Sequence, residues 1–184
     1  MLSMPMGIVV GFAVLVLAVL VWAIATSNRF KVLLVKITEA DSGIDVALTK
    51  RYDTLTKMID VVKAYAKHEI DLLANIINLR KGMSVAEKNE ANQCMDKMME
   101  KINVAVEAYP DLRSSANYLK LKEAIADAEA HLQAARRLYN SNVSAFNQAI
   151  AVFPASIIAN SQGHVPKNFF EADAAKRADV KINL

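Results

Sequence analysis

Helix-breaking residues are scarce in this chain, whose 184 residues include only 5 Gly and 4 Pro. The glycines stand singly, at 7, 11, 43, 82 and 163. No phosphate-cradling loop, dinucleotide fingerprint or G-x-S-x-G elbow can be assembled from them. The lone cysteine, Cys94, excludes an internal disulfide and fits a reducing compartment. The three histidines, His68, His131 and His164, are too scattered for a metal motif. His68-Glu69 begins like H-E-x-x-H, but Leu72 stands where the second histidine belongs. The net charge of +3 is mixed in sign, with no basic block interleaved with aromatics, so nucleic acid is not an expected partner. These absences leave no catalytic residue, no metal site and no cofactor site to nominate.

Charge is missing most conspicuously at the start. No Asp, Glu, Lys or Arg precedes Arg29, and residues 4–25 are apolar apart from Pro5 and two glycines. That run matches the ~20 residues a bilayer-spanning helix needs, and Trp22 lies near its end, where interfacial aromatics collect. A cleavable signal peptide would carry a basic n-region and a shorter apolar core, although Ala23-Ile24-Ala25 resembles a cleavage site. A buried core helix would show a polar face, and this run has none. A single membrane span over residues 1–28 is the expectation. Arg29, Lys31 and Lys36 follow the span and no basic side chain precedes it. The positive-inside rule therefore puts the N-terminus outside and the rest in the cytoplasm.

What is abundant is helix. Composition is rich in Ala, Leu, Lys, Glu and Met, and residues 29–80 contain no Pro and one Gly. Leu48, Tyr52, Leu55, Ile59 and Val62 step by 4 and 3, as do Ala91, Met95, Met98, Ile102, Ala105 and Tyr109. A third series runs Tyr118, Leu121, Ile125, Ala128, Leu132, Ala135, Tyr139, Asn142, Phe146, Ala149, Phe153. These are heptad seams. Ser84-Val85-Ala86-Glu87 spells a capping box, Gly82 a helix stop and Pro110 a break. Long helices joined by turns at 81–84 and 109–115 should fold back on one another. The predicted fold is all-α: an N-terminal transmembrane helix, an elongated antiparallel bundle of long helices over 29–154, and an irregular tail over 155–184 with one short helix at 171–178.

Two stretches carry polar groups where apolar ones are expected. The first seam continues through Ala66, Glu69, Leu73 and Ile76, so Glu69 occupies a seam position with His68 beside it. The two could form a polar layer with Arg51, Arg136 or Arg137; such layers mainly fix register. In the stretch RLYNSNVSAFNQAIAVFP, Tyr139, Val143, Phe146, Ile150 and Phe153 make one apolar stripe. Asn140 and Asn147 border it two turns apart, placed to bond across to the first helix, and Asn142 lies on the seam itself.

Through these residues the chain resembles the LemA family of bacterial membrane proteins. The likeness is carried by NRF at 28–30, IDVALTKRYD at 44–53, VKAYAKHE at 62–69, YPDLRSSANYLKL at 109–121, ARRLYNSNVSAFNQAIAVFP at 135–154 and FFEAD at 169–173. Thr56 stands where the family often has proline, and the lipoprotein cysteine of some relatives is missing near the N-terminus. The resemblance implies a membrane-anchored bundle of long helices without established catalysis, and brings no catalytic residues with it. The resulting expectation is a non-catalytic scaffold at a bacterial inner membrane, with the lipid bilayer and a second copy or another protein as partners. The alternative is an enzyme or ligand sensor built on His68 and Glu69.

Overall fold

A computed structural model describes residues 6–65 and 82–170 of the protein. Among these residues there are five helices and no strand: α1 (Met6–Tyr65), α2 (Val85–Glu107), α3 (Pro110–Arg113), α4 (Ala116–Ala151) and α5 (Ala155–Ser161). α1 runs unbroken for 60 residues, through Thr56, whose hydroxyl donates to the Tyr52 carbonyl. With no proline after Pro5, nothing in this segment removes a helical hydrogen bond. The capping box at α2 is formed in full, with Ser84 accepting from the Glu87 amide and Glu87 accepting from the Ser84 amide. The expected 171–178 helix lies outside the described residues.

The chain divides into two compact units, Met1–Thr38 with Ser141–Lys167, and Glu39–Asn140 with Asn168–Leu184. In the second unit α1 buries Ala40, Ile44, Ala47, Arg51, Thr54 and Met58 at 4 and 3 spacing, beside Leu48, Leu55, Ile59 and Val62. Two adjacent stripes are needed because α1 meets both α2 and α4. α2 contributes Lys88, Ala91, Met95, Met98, Ile102 and Val106, and α4 contributes Tyr118, Ile125, Ala128, Leu132 and Tyr139. Burying each large aliphatic or aromatic side chain contributes roughly 1.5–3 kcal/mol.

Helix direction in this unit follows from the side chains that pair. Lys88 meets Asp41 and Asp45, while Asn92 and Asp96 meet Arg51, so α1 and α2 run in the same sense. Glu129 also meets Arg51, and Tyr139 lies within electrostatic reach of Asp41, so α4 runs antiparallel to both. The antiparallel packing of the bundle is thus made by α4 against α1 and α2, which pair in parallel. Heptad spacing specifies a face and leaves direction open; here the charged pairs reveal it.

In the first unit, α4 again runs antiparallel to α1: Asn142 Nδ2 donates to the Lys36 carbonyl at 3.0 Å, and one turn on Phe146 shares the His164 ring with Phe30. Phe30, Ile37, Val143, Phe146, Ala149, Ile150 and Ala159 form its core. Phe153, expected to continue the stripe, is 81% exposed. The residue before a proline disfavours the α conformation, so α4 stops at Ala151 and the phase that would bury Phe153 is lost. Phe153-Pro154 is a cis peptide, and α5 leaves α4 at 98°.

Candidate functional site

Buried charge is concentrated at two points of the second unit. Arg51 on α1 is 2% exposed. Its Nη1 donates to Asn92 Oδ1, and its Nη2 donates to Asp96 at 2.6 Å and Glu129 at 2.8 Å. One guanidinium thus ties three helices together, which suits the fixed fork of an arginine. Lys88 on α2 is 0% exposed and bridges Asp41 and Asp45, each at 2.7 Å. The two aspartates are one turn apart on α1, so a single ammonium reaches both. Burial pulls the Lys88 pKa down, but hydrogen bonds from the ammonium to Asp41 and Asp45 outweigh it and raise the pKa above 10.5.

Neither point is equipped for acid–base or nucleophilic work. Arginine does not deprotonate in proteins, and Lys88 is held as the ammonium, with no free amine at neutral pH. Among the described residues no three His, Cys, Asp or Glu side chains converge as metal ligands would. What these groups do well is alignment, because a helix shifted by one turn would strand a buried charge.

A different kind of contact occupies α4. In the second unit Asn140 grips the backbone of Phe170: Nδ2 donates to the Phe170 carbonyl at 2.9 Å and Oδ1 accepts from its amide at 2.7 Å. Tyr139 donates its hydroxyl to the Asn168 carbonyl at 3.3 Å. The Phe170 ring is buried, edge-on to Tyr139 at 6.4 Å and beneath the Arg136 guanidinium at 4.6 Å. In the first unit Asn147 makes the same two-point exchange with Lys167, donating at 2.9 Å and accepting at 2.8 Å.

Sequence reasoning placed these residues only in part. The bond across to the first helix, expected of Asn140 and Asn147, is made by the seam residue Asn142, whereas Asn140 and Asn147 hold the chain that follows Gly163, whose positive φ of 69° turns it back. Their targets differ from expectation because an irregular segment carries no periodic signal that a neighbouring asparagine could be matched to. His68 and Glu69 lie outside the described residues. Arg51 is committed to Asn92, Asp96 and Glu129, Arg136 stacks on Phe170, and Arg137 is exposed. His131 is an exposed neighbour of Asp127, and Cys94 is exposed. His164 packs edge-on against Phe30 at 5.3 Å and Phe146 at 5.8 Å. The burial of Lys88 and Arg51 was missed, yet a signal was present: both occupy steps of their helices' 4 and 3 series.

The LemA family model matches residues 40–184 of this chain. Protein LemA of Metamycoplasma hominis is 29% identical over 150 residues, a stretch covering 79% of this chain and 68% of that protein.

Proposed function

The chain belongs to the LemA family, and from that premise we propose that it is a membrane-anchored helical scaffold. It acts without catalysis, by self-association or by docking a protein partner, with α1 as its single span and the bundle in the cytoplasm. The observation that carries this reading is the continuity of α1. Its apolar segment is long enough to cross a membrane, none of the most apolar window is buried, and the same helix continues into the Arg51 and Lys88 network.

An uncovered apolar helix of this length is costly in water and stable in lipid. A heavily cross-braced bundle on the same helix is suited to presenting a fixed surface. Arg29, Lys31 and Lys36 support the cytoplasmic placement by their position after the span.

The test is purification of the full chain in mild detergent, followed by mass photometry and chemical crosslinking. A defined oligomer or a retained protein partner is expected. A strictly monomeric protein that retains nothing in native pulldowns contradicts the scaffold.

A further inference from the structure

All 19 acidic residues of the chain lie in 39–140 and 168–184. The other unit, Met1–Thr38 with Ser141–Lys167, therefore has no Asp or Glu and carries Arg29, Lys31, Lys36 and Lys167. This unit also turns apolar side chains outward where α4 gives way to α5. Phe153 is 81% exposed and Ile157 is 61% exposed, with Val152 and Val165 exposed as well.

The elbow that bears them is held firmly. Ala159 is buried in the unit's core, and His164 packs against Phe30 and Phe146. Gln162 donates to Ser27 at 2.8 Å. Ser27 stands two residues past the end of the apolar run at Ala25 and five past Trp22, so the elbow abuts the level at which a span would leave the lipid. α4 is antiparallel to α1 here, with Asn142 beside Lys36 and Phe146 sharing His164 with Phe30, and α5 departs from α4 at 98°. α5 therefore lies across the direction of the span, as an interfacial helix does.

We propose that residues 152–165 form a second membrane contact, with Phe153 and Ile157 seated at the headgroup–acyl boundary of an anionic bilayer beside the span. Arg29, Lys31 and Lys167 then sit at the height of the lipid phosphates, which attract basic side chains within a Debye length of the surface. A second copy of the chain is the less suited occupant, because this unit would present basic groups to basic groups. The inference rests on α1 being a span, and its test reads that separately.

The experiment uses the full chain carrying Cys94→Ala and one introduced cysteine bearing a polarity-sensitive fluorophore: Phe153→Cys, Ile157→Cys, Leu17→Cys in the span, or Leu138→Cys as an exposed control. Each protein is reconstituted into vesicles of phosphatidylethanolamine and phosphatidylglycerol. The lipids carry a doxyl quencher shallow or deep on the acyl chain, and iodide serves as the aqueous quencher. The labels at 153 and 157 should be quenched by shallow doxyl and shielded from iodide, the Leu17 label by deep doxyl, and the Leu138 label by iodide alone. All four sites are exposed, so folding is not at stake.

If the 153 and 157 labels respond to iodide and not to doxyl while the Leu17 label is quenched in the bilayer, the interfacial contact is overturned and the span stands. A Leu17 label open to iodide overturns both. Shielding at 153 that appears only at high protein-to-lipid ratio, without doxyl quenching, assigns the elbow to a second copy and overturns the lipid contact.

Discussion

Asn140 exchanges two hydrogen bonds with the backbone of Phe170, giving one to its carbonyl at 2.9 Å and taking one from its amide at 2.7 Å. A primary amide suits this contact, since it sets a donor and an acceptor side by side against the C=O and N–H of one residue. The contact reads the backbone alone, and the burial of the Phe170 ring beneath Arg136 and beside Tyr139 adds the side-chain preference.

Replacing Asn140 by Ala removes both bonds and should cost about 1–3 kcal/mol, two bonds at the usual net worth. Hydrogen exchange at the Phe170 amide should speed up, and trypsin should cut after Lys167 more readily. Asn140→Asp keeps the acceptor, sets a carboxylate against the Phe170 carbonyl, and should be no better than Ala. Unchanged exchange at Phe170 in both variants contradicts the clamp.

Arg51→Met should lower stability by about 3 kcal/mol. That is the low end for a broken buried pair, because Glu129 is half exposed and can be solvated again. The exposed pair of Lys50 and Asp127 provides the contrast: Asp127→Asn should leave the urea midpoint unmoved, since exposed pairs contribute little. Equal shifts in the two variants would show that Arg51 is not the tie between the helices.

Alkaline pH should destabilise the protein. The Lys88 pKa is raised above 10.5 in the folded state, against burial, by Asp41 and Asp45, and burial followed by the nearby Asp41 charge raises the Tyr139 pKa above 10.0. A raised folded pKa means that the stabilisation is complete below the unfolded value and is lost as pH rises through the folded one. Urea midpoints should therefore hold from neutral pH to about 10 and fall beyond it. Lys88→Met should flatten that fall, and a variant as steep as the parent contradicts the assignment.

The all-α architecture, the capping box and most buried positions of α2 and α4 were legible in the sequence because helical periodicity reports burial directly. Met95, Met98 and Ile102 fell where the 4 and 3 spacing put them. The parallel sense of α1 and α2 was not legible: the same spacing serves parallel and antiparallel pairs, and only the contacts of Lys88 with Asp41 and Asp45 reveal it. The end of the last stripe was missed because the helix stops at Ala151 ahead of Pro154, two residues short of Phe153. Asn140 was recognisable as unusual, but its partner lies in a segment without repeat or pattern, thirty residues further along the chain.

The proposed cytoplasmic placement of the bundle rests on Arg29, Lys31 and Lys36. Alkaline phosphatase fused after Leu184 should be inactive, and a fluorescent protein at the same position should be bright. Strong phosphatase activity, or proteolysis of the bundle in spheroplasts, reverses the assignment.

The central claim is that α1 anchors the protein by crossing the bilayer, and alkaline carbonate extraction of membranes from cells expressing it tests this most directly. The full chain should stay in the membrane pellet, while a chain starting at Arg29, left with only the elbow's peripheral contact, should be released. A full-length chain found in the carbonate supernatant would contradict the account.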